Sequence, residues 1–403
     1  MTLDRTDRRH SPTQSPFQTE TPESNPERDG EPSLKQGQMR FAAPGRVNLI
    51  GEHTDYSGGL VMPAAINLRT VATIAPRNDG KIVLRSENLP GECVCPAAEL
   101  PEIRNNNWSD YPIGVLRSLR DEGVRLEGFN LCFSSDLPLG AGLSSSASIE
   151  VATAYAVLAL SGHAMSIPAI AAVCQRAENT FVGAQSGIMD PFIACAGRQD
   201  HAITLDCRSL EYCMLPIPSG VRLAIANSMV EHSNAGGEYN LRRAEVDQGL
   251  RILHACQPRI ETLRDATEAD LEAARREMPD NVFRRCRHII TENRRVRSAA
   301  AALERSDLAG FGDLMREAHR SIRDDFEASS SELDLLVEIA SQLPGCYASR
   351  MTGGGFGGCT VNLIDVSQAE AFCDALRQRY REATGIVTEI YLCRASAGAG
   401  PAL

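Results

Sequence analysis

Asp136-Leu137-Pro138-Leu139-Gly140-Ala141-Gly142-Leu143-Ser144-Ser145-Ser146-Ala147-Ser148 is the stretch whose reading decides the fold. Ahead of it, Phe129, Leu131 and Phe133 alternate with Asn130, Cys132 and Ser134, the period of a half-buried strand. Behind it, residues 149–160 are rich in Ala, Val and Leu, contain no Gly or Pro, and predict a buried helix. A glycine-rich turn that feeds serines into a helix start offers unpaired backbone N–H groups at the positive end of the helix dipole. Such a turn can cradle phosphate, and a serine hydroxyl there can reach a phosphate-bound Mg²⁺. The same residues also suit a plain strand–helix turn capped by serine, and both readings stay open at this point.

Working outward, the 403 residues are enough for two compact domains. Apolar residues make up 43% of the chain, and no run approaches the ~18 needed to span a bilayer, so a membrane is not expected. A net charge of −11 argues against nucleic acid. The pairs Arg284-Arg285 and Arg294-Arg295 read as solvated helix faces. Thirteen cysteines without metal-ligand spacing, of which Cys93 and Cys95 are the one close pair, suit reduced thiols and a cytoplasmic protein. Residues 1–38 hold five prolines, many polar side chains and no apolar core, and predict a disordered tail without a secretory signal.

The fold is expected to begin near residue 39, where a strand enters a turn punctuated by Pro44 and Gly45. The loop that follows carries Arg46, Glu52, His53 and Asp55, a density of hydrogen-bonding groups that suits a polyhydroxylated ligand or, less simply, an exposed polar loop or a metal. Residues 60–75 and 81–85 predict two strands joined by a hairpin turn at 77–80, and 108–119 a helix. Ser166 and Pro168 open a second helix that reaches Glu178, by default a solvated acid. Asp190-Pro191 has the chemistry of an N-cap and first helical residue. The strand at 221–227 is expected to close the first domain. Beyond it come mostly helices, then strand, a loop with glycine at 353, 354, 355, 357 and 358, strand, helix and strand: an α+β domain. The glycine loop is expected to pack against ligands of the first domain.

Three of these stretches resemble one family. Pro-Gly-Arg-Val-Asn-Leu-Ile-Gly-Glu-His-Thr-Asp-Tyr at 44–56 is similar to the galactokinase signature; 138–148 resembles the nucleotide loop of the galactokinase, homoserine kinase, mevalonate kinase and phosphomevalonate kinase (GHMP) group; 353–358 resembles that group's third motif. The resemblance extends from about residue 39 to residue 392. It implies an α+β, two-domain GHMP-kinase-like fold, with a mixed-sheet N-terminal domain over 39–227 and a ferredoxin-like α/β sandwich over 228–403. It also implies ATP-dependent phosphorylation of the C1 hydroxyl of galactose. Carried over, Asp190 would be the base and Arg46 its partner. Glu52, His53, Asp55, Gly187 and Tyr239 would hold the sugar. Gly140, Ala141, Gly142, Leu143, Ser144, Ser145 and Ser146 would wrap the phosphates, with Ser86 near the nucleotide. Ser146 (or Ser145) and Glu178 would hold Mg²⁺. No Gly-x4-Gly-Lys loop competes with this reading. Two positions depart from the pattern: Pro191, where many relatives have Gln, and Glu231, where a basic residue is usual. Partners are expected to be galactose and ATP, and the protein a monomer or weak homodimer. Another sugar (N-acetylgalactosamine or arabinose) and a non-catalytic galactose and ATP sensor are the alternatives.

Overall fold

The structure, a computed structural model, describes residues 9–10, 37–231 and 235–402. The tail expected over 1–38 therefore lies, apart from residues 9–10 and 37–38, outside the described residues, as does the side chain of Glu231. No helix among the described residues is long and apolar enough to cross a membrane, and all thirteen cysteines are free thiols.

Three sheets organise the described chain. The first is six-stranded, in the order Gly400–Pro401, Met39–Asn48, Pro63–Pro76, Phe129–Ser135, Lys81–Ser86, Glu92–Pro96. It is mixed, because Lys81–Ser86 runs parallel to Phe129–Ser135 while the other pairs are antiparallel. The hairpin expected at 77–80 is therefore not one. Phe129–Ser135 inserts between the two strands it would have joined, and Arg77 secures the insertion by donating to Asn130 Oδ1 at 2.7 Å. The alternating apolar residues Phe129, Leu131 and Phe133 face a core that also receives Val151, Tyr155 and Leu158. These last belong to the helix Ser145–Ser161, which is apolar on nearly every side, is buried accordingly, and stops at Gly162.

A second sheet has the order Cys346–Thr352, Gly357–Asp365, Val221–Glu231, Glu389–Cys393, antiparallel throughout. In chain order this is 2-3-1-4, the ferredoxin-like arrangement, with the helix Ala369–Thr384 returning the chain to its last strand. The strand expected to close the first domain is thus an inner strand of the other sheet, because its alternate apolar residues Leu223 and Ile225 pack with Val361 and Leu363. The same core takes Val47 from Met39–Asn48 and Leu49 just beyond its end, so the two sheets share buried surface. The third sheet runs Arg9–His10, Tyr212–Pro216, His201–Asp206, Leu60–Val61.

Between the strands Val221–Glu231 and Cys346–Thr352 the chain is helical. In Asp280–Glu304 the spacing 285, 288, 292, 295 puts Arg285, His288, Glu292 and Arg295 on one buried stripe. The two Arg pairs are therefore only half solvated. Arg285 is 2% exposed and pairs with Glu245 and Glu327, and Arg295 pairs with Glu292 at 2.6 Å, since a buried guanidinium must have acidic partners.

Candidate active site

Two cavities lie on either side of the stretch 136–148. One, of about 310 Å³, is lined by Arg46, Glu52, His53, Asp55, Gly187, Asp190 and Tyr239 among others. The other, of about 200 Å³, is lined by Ser86, Trp108, Tyr111, Leu139, Ser145 and Ser146 among others. The stretch is held by its own apolar residues: Leu137, Ala141 and Leu143 are buried in the core shared by the two sheets. With those side chains turned inward, the backbone of Gly140, Gly142 and Ser144 is left at the surface in left-handed conformations. The helix then begins at Ser145.

Arg46 reaches the site because the strand Met39–Asn48 does not end at Pro44-Gly45. It continues past a register shift between Pro44 and Arg46, where the facing strand Pro63–Pro76 carries two extra residues. Arg46 Nε and Nη2 donate to Asp190 Oδ1 and Oδ2, both at 2.7 Å, and Nη1 donates to the carbonyl of Gly142 at 2.6 Å. Burial works against the charge of Arg46, but Asp190 beside it, with Glu52 and Asp55 behind, holds its pKa above the ordinary value. Asp190 is not the N-cap that its sequence neighbour Pro191 suggests. It is the second residue of the helix Met189–Ala196, the N-cap is Ile188, and its carboxylate is spent on Arg46 and on Ser144.

Glu178 is likewise not a solvated acid. It opens a π-helical turn, Glu178–Val182, that continues Ile167–Ala177, and it is 7% exposed. Ser186 and Ser146 beside its carboxyl favour the charged form, but burial, more than any other cause, raises its pKa. Gly187 lies flat against Asp55: a Cβ there would stand 1.7 Å from Asp55 Oδ2, which leaves room for no other residue. Burial, then Asp190, pushes the Asp55 carboxyl up to about 6.

Glu52 is 1% exposed and forms an ion pair with Arg350, which is fully buried. Burial pushes its pKa up to about 7, with Arg350 opposing the rise and Glu292 adding to it. His53 takes a left-handed backbone conformation with φ 62°. Its ring stacks on Phe326 at 4.3 Å between centroids. One nitrogen is 3.1 Å from the carbonyl of Gly354 and the other 3.2 Å from the Tyr56 hydroxyl. Burial lowers its pKa to about 3, so the ring is neutral and works as a brace between this loop and the glycine loop. Gly353 lies against Gly142 and Arg46, so the glycine loop packs on the first domain's site as its composition predicts. Tyr239 stands 5.4 Å from His53 between ring centroids and closes the larger cavity from the helix Ala235–Cys256.

All of the expected residues therefore line one cavity or the other or flank the loop between them. Arg350 was not foreseen, although a lone arginine in an otherwise uncharged strand ahead of the glycines was a signal. The hydrogen bond from Ser144 to Asp190, 46 residues apart, left no signal at all.

Residues 34–76 match the family model for the galactokinase galactose-binding signature, 110–198 that for the GHMP kinases N terminal domain, and 299–382 that for the GHMP kinases C terminal. The chain is 46% identical over 358 residues to a galactokinase of Roseiflexus sp. (strain RS-1), covering 89% of this chain and 91% of the relative. It is 44% identical over 371 residues to a galactokinase of Homo sapiens, covering 90% and 92% respectively. The structure superposes on that of a Lactococcus lactis galactokinase complexed with galactose with a TM-score of 0.88 at 33% identity, covering 91% of this chain and 96% of the other. On this match in sequence and in fold, the chain belongs to the galactokinase family of GHMP kinases.

Proposed function

We propose that this enzyme transfers the γ-phosphoryl group of ATP to the C1 hydroxyl of galactose, giving galactose 1-phosphate and ADP. The observation that carries the reading is the run Ser144-Ser145-Ser146. Its first member touches Asp190 in the larger cavity and the next two line the smaller one, so a phosphoryl group lying on this loop is within reach of both. The larger cavity takes the sugar, with Glu52 and Asp55 accepting its hydroxyls and Tyr239 covering it. The smaller, with Trp108 and Tyr111 in its wall and Ser86 beside them, takes the nucleotide base. Phosphoryl transfer asks the protein mainly for positioning and charge neutralisation. Asp190 accepts the proton of the sugar hydroxyl, and Arg46, bonded to both of its oxygens, holds that carboxylate in place and stabilises the transferring charge.

Mg²⁺ fits the Ser146 and Glu178 pair. These are two hard oxygen donors close enough for Ser146 to act on the Glu178 carboxyl, and among the described residues no cluster of three His, Cys, Asp or Glu competes for a metal. Two protein ligands with the remainder from phosphates and water is the usual arrangement for this ion, and it would neutralise phosphate charge there. The intact serine run and the Arg46–Asp190 pair favour catalysis over sensing.

The test is ADP release and sugar phosphate formation by the purified protein with ATP across a panel of free sugars. Galactose should give the highest kcat/KM. A higher value for N-acetylgalactosamine or arabinose, or no sugar-dependent ADP release, would overturn the assignment.

A further inference from the structure

Ser144 occupies the N-cap position of the helix Ser145–Ser161 and yet caps nothing. Its backbone is left-handed, φ 59° and ψ 46°, and its side chain makes no bond to the first turn. Serine is favoured at an N-cap because its oxygen accepts from a free N–H of that turn, which normally requires an extended backbone. Here both the conformation and the hydroxyl are given up locally, and the hydroxyl instead donates to Asp190 Oδ2 at 2.6 Å. A left-handed serine is strained, and strain at a non-glycine residue within a site calls for a compensating contact.

The bonds to Asp190 are unequal. Oδ2 accepts from both Arg46 Nη2 and Ser144, whereas Oδ1 accepts from Arg46 Nε alone. A carboxylate oxygen has two lone-pair sites, so Oδ2 is filled and Oδ1 keeps one open. Building on the proposed reaction, we infer that Ser144 is a positioning residue that saturates Oδ2 and leaves Oδ1 as the atom that takes the proton. The C1 hydroxyl proton passes to Asp190 Oδ1. The electron pair left on the C1 oxygen forms the bond to the γ-phosphorus, and the bond from that phosphorus to the β,γ-bridging oxygen breaks, so that ADP leaves with the pair. The arrangement also links the two halves of the site, because the residue that aims the carboxylate belongs to the loop that carries the phosphates.

Ser144→Ala and Ser144→Gly separate this role from a structural one. Both remove the hydroxyl; only glycine also relieves the left-handed strain. Both should lose kcat by about 10–100-fold, the scale of one hydrogen bond to a charged group. ATP and galactose affinities, read by calorimetry, should stay within about 3-fold of the parent, since an interaction that acts on the chemical step lowers kcat rather than binding. Ser144→Gly should melt above Ser144→Ala. A residue that served only the backbone would give a glycine variant as active as the parent, and that result overturns the inference. So does a loss confined to ATP affinity, which would make Ser144 a phosphate ligand. If the parent itself shows no sugar-dependent ATP turnover, the proposed reaction falls rather than the geometry.

Discussion

The loop beside the smaller cavity and the lining of the larger one are built by opposite means. The loop, proposed as the phosphate side, is local. Thirteen consecutive residues supply the buried anchors Leu137, Ala141 and Leu143, the left-handed glycines and the helix start. The larger cavity, proposed as the sugar side, is assembled from a distance. Glu52 takes its charge partner from Arg350, 298 residues on, and the Gly51 amide donates to Glu292 Oε1 at 2.8 Å, from another element again. One side depends on backbone conformation, which survives most side-chain changes. The other depends on charges held out of water, where removing one partner strands the other.

The largest effect should come at the junction. Asp190→Asn keeps the shape of the residue but removes the proton acceptor, and the loss of a general base typically costs ~10²–10⁴ in rate. Asp190 caps no helix, and its carboxylate bonds only to Arg46 and Ser144 among the described residues. The variant should stay folded by circular dichroism and bind both substrates. Wild-type kcat in this variant would make the junction a structural ion pair.

Next comes the sugar side. Arg350→Met leaves Glu52 buried without its partner and should destabilise the fold by about 3–5 kcal/mol in urea titration. A loss below about 1 kcal/mol would place Glu52 in a wetter environment than its 1% exposure describes.

A matched pair of substitutions then tests the division itself. Gly142→Val puts a β-branched residue at φ 75° and should abolish measurable ATP binding while sparing galactose. Asp55→Ala should do the reverse and raise the galactose KM by at least ~10-fold through lost charged hydrogen bonds. If either variant weakened both ligands equally, the two sides would not be separable.

The smallest effect concerns pH. The carboxyls of Glu52 and Asp55 are pushed up to about 7 and about 6, chiefly by burial. In the proposed role both would accept sugar hydroxyls best as carboxylates, so each would lose this capacity as pH falls through its pKa. Galactose affinity should be greatest above pH ~7 and decline by several-fold toward pH ~5, while ATP affinity changes less over the same range. Calorimetric galactose affinity that is flat across that interval would place both pKa values in the ordinary carboxylate range.

What the sequence by itself determined follows from this contrast. The strand, loop and helix around 136–148 were legible because period, glycine and serine act within a few residues of one another. Gly385 ends the helix Ala369–Thr384 in the same local way, as a left-handed glycine with φ 77°. The motif at 44–56 disclosed the family, and Arg46, Glu52, His53 and Asp55 from it line the larger cavity. Tertiary structure alone decided the rest. It inserted Phe129–Ser135 where a hairpin was expected, moved Val221–Glu231 into the other sheet, and turned Asp190 from a cap into the partner of Arg46 and Ser144. It also buried Glu178, Arg285 and Arg295, which read locally as solvated. In each case the local pattern was compatible with two outcomes. The choice between them was made by a charge or an apolar surface arriving from a distant part of the chain, where burial raises the cost of an unpaired group beyond any local preference.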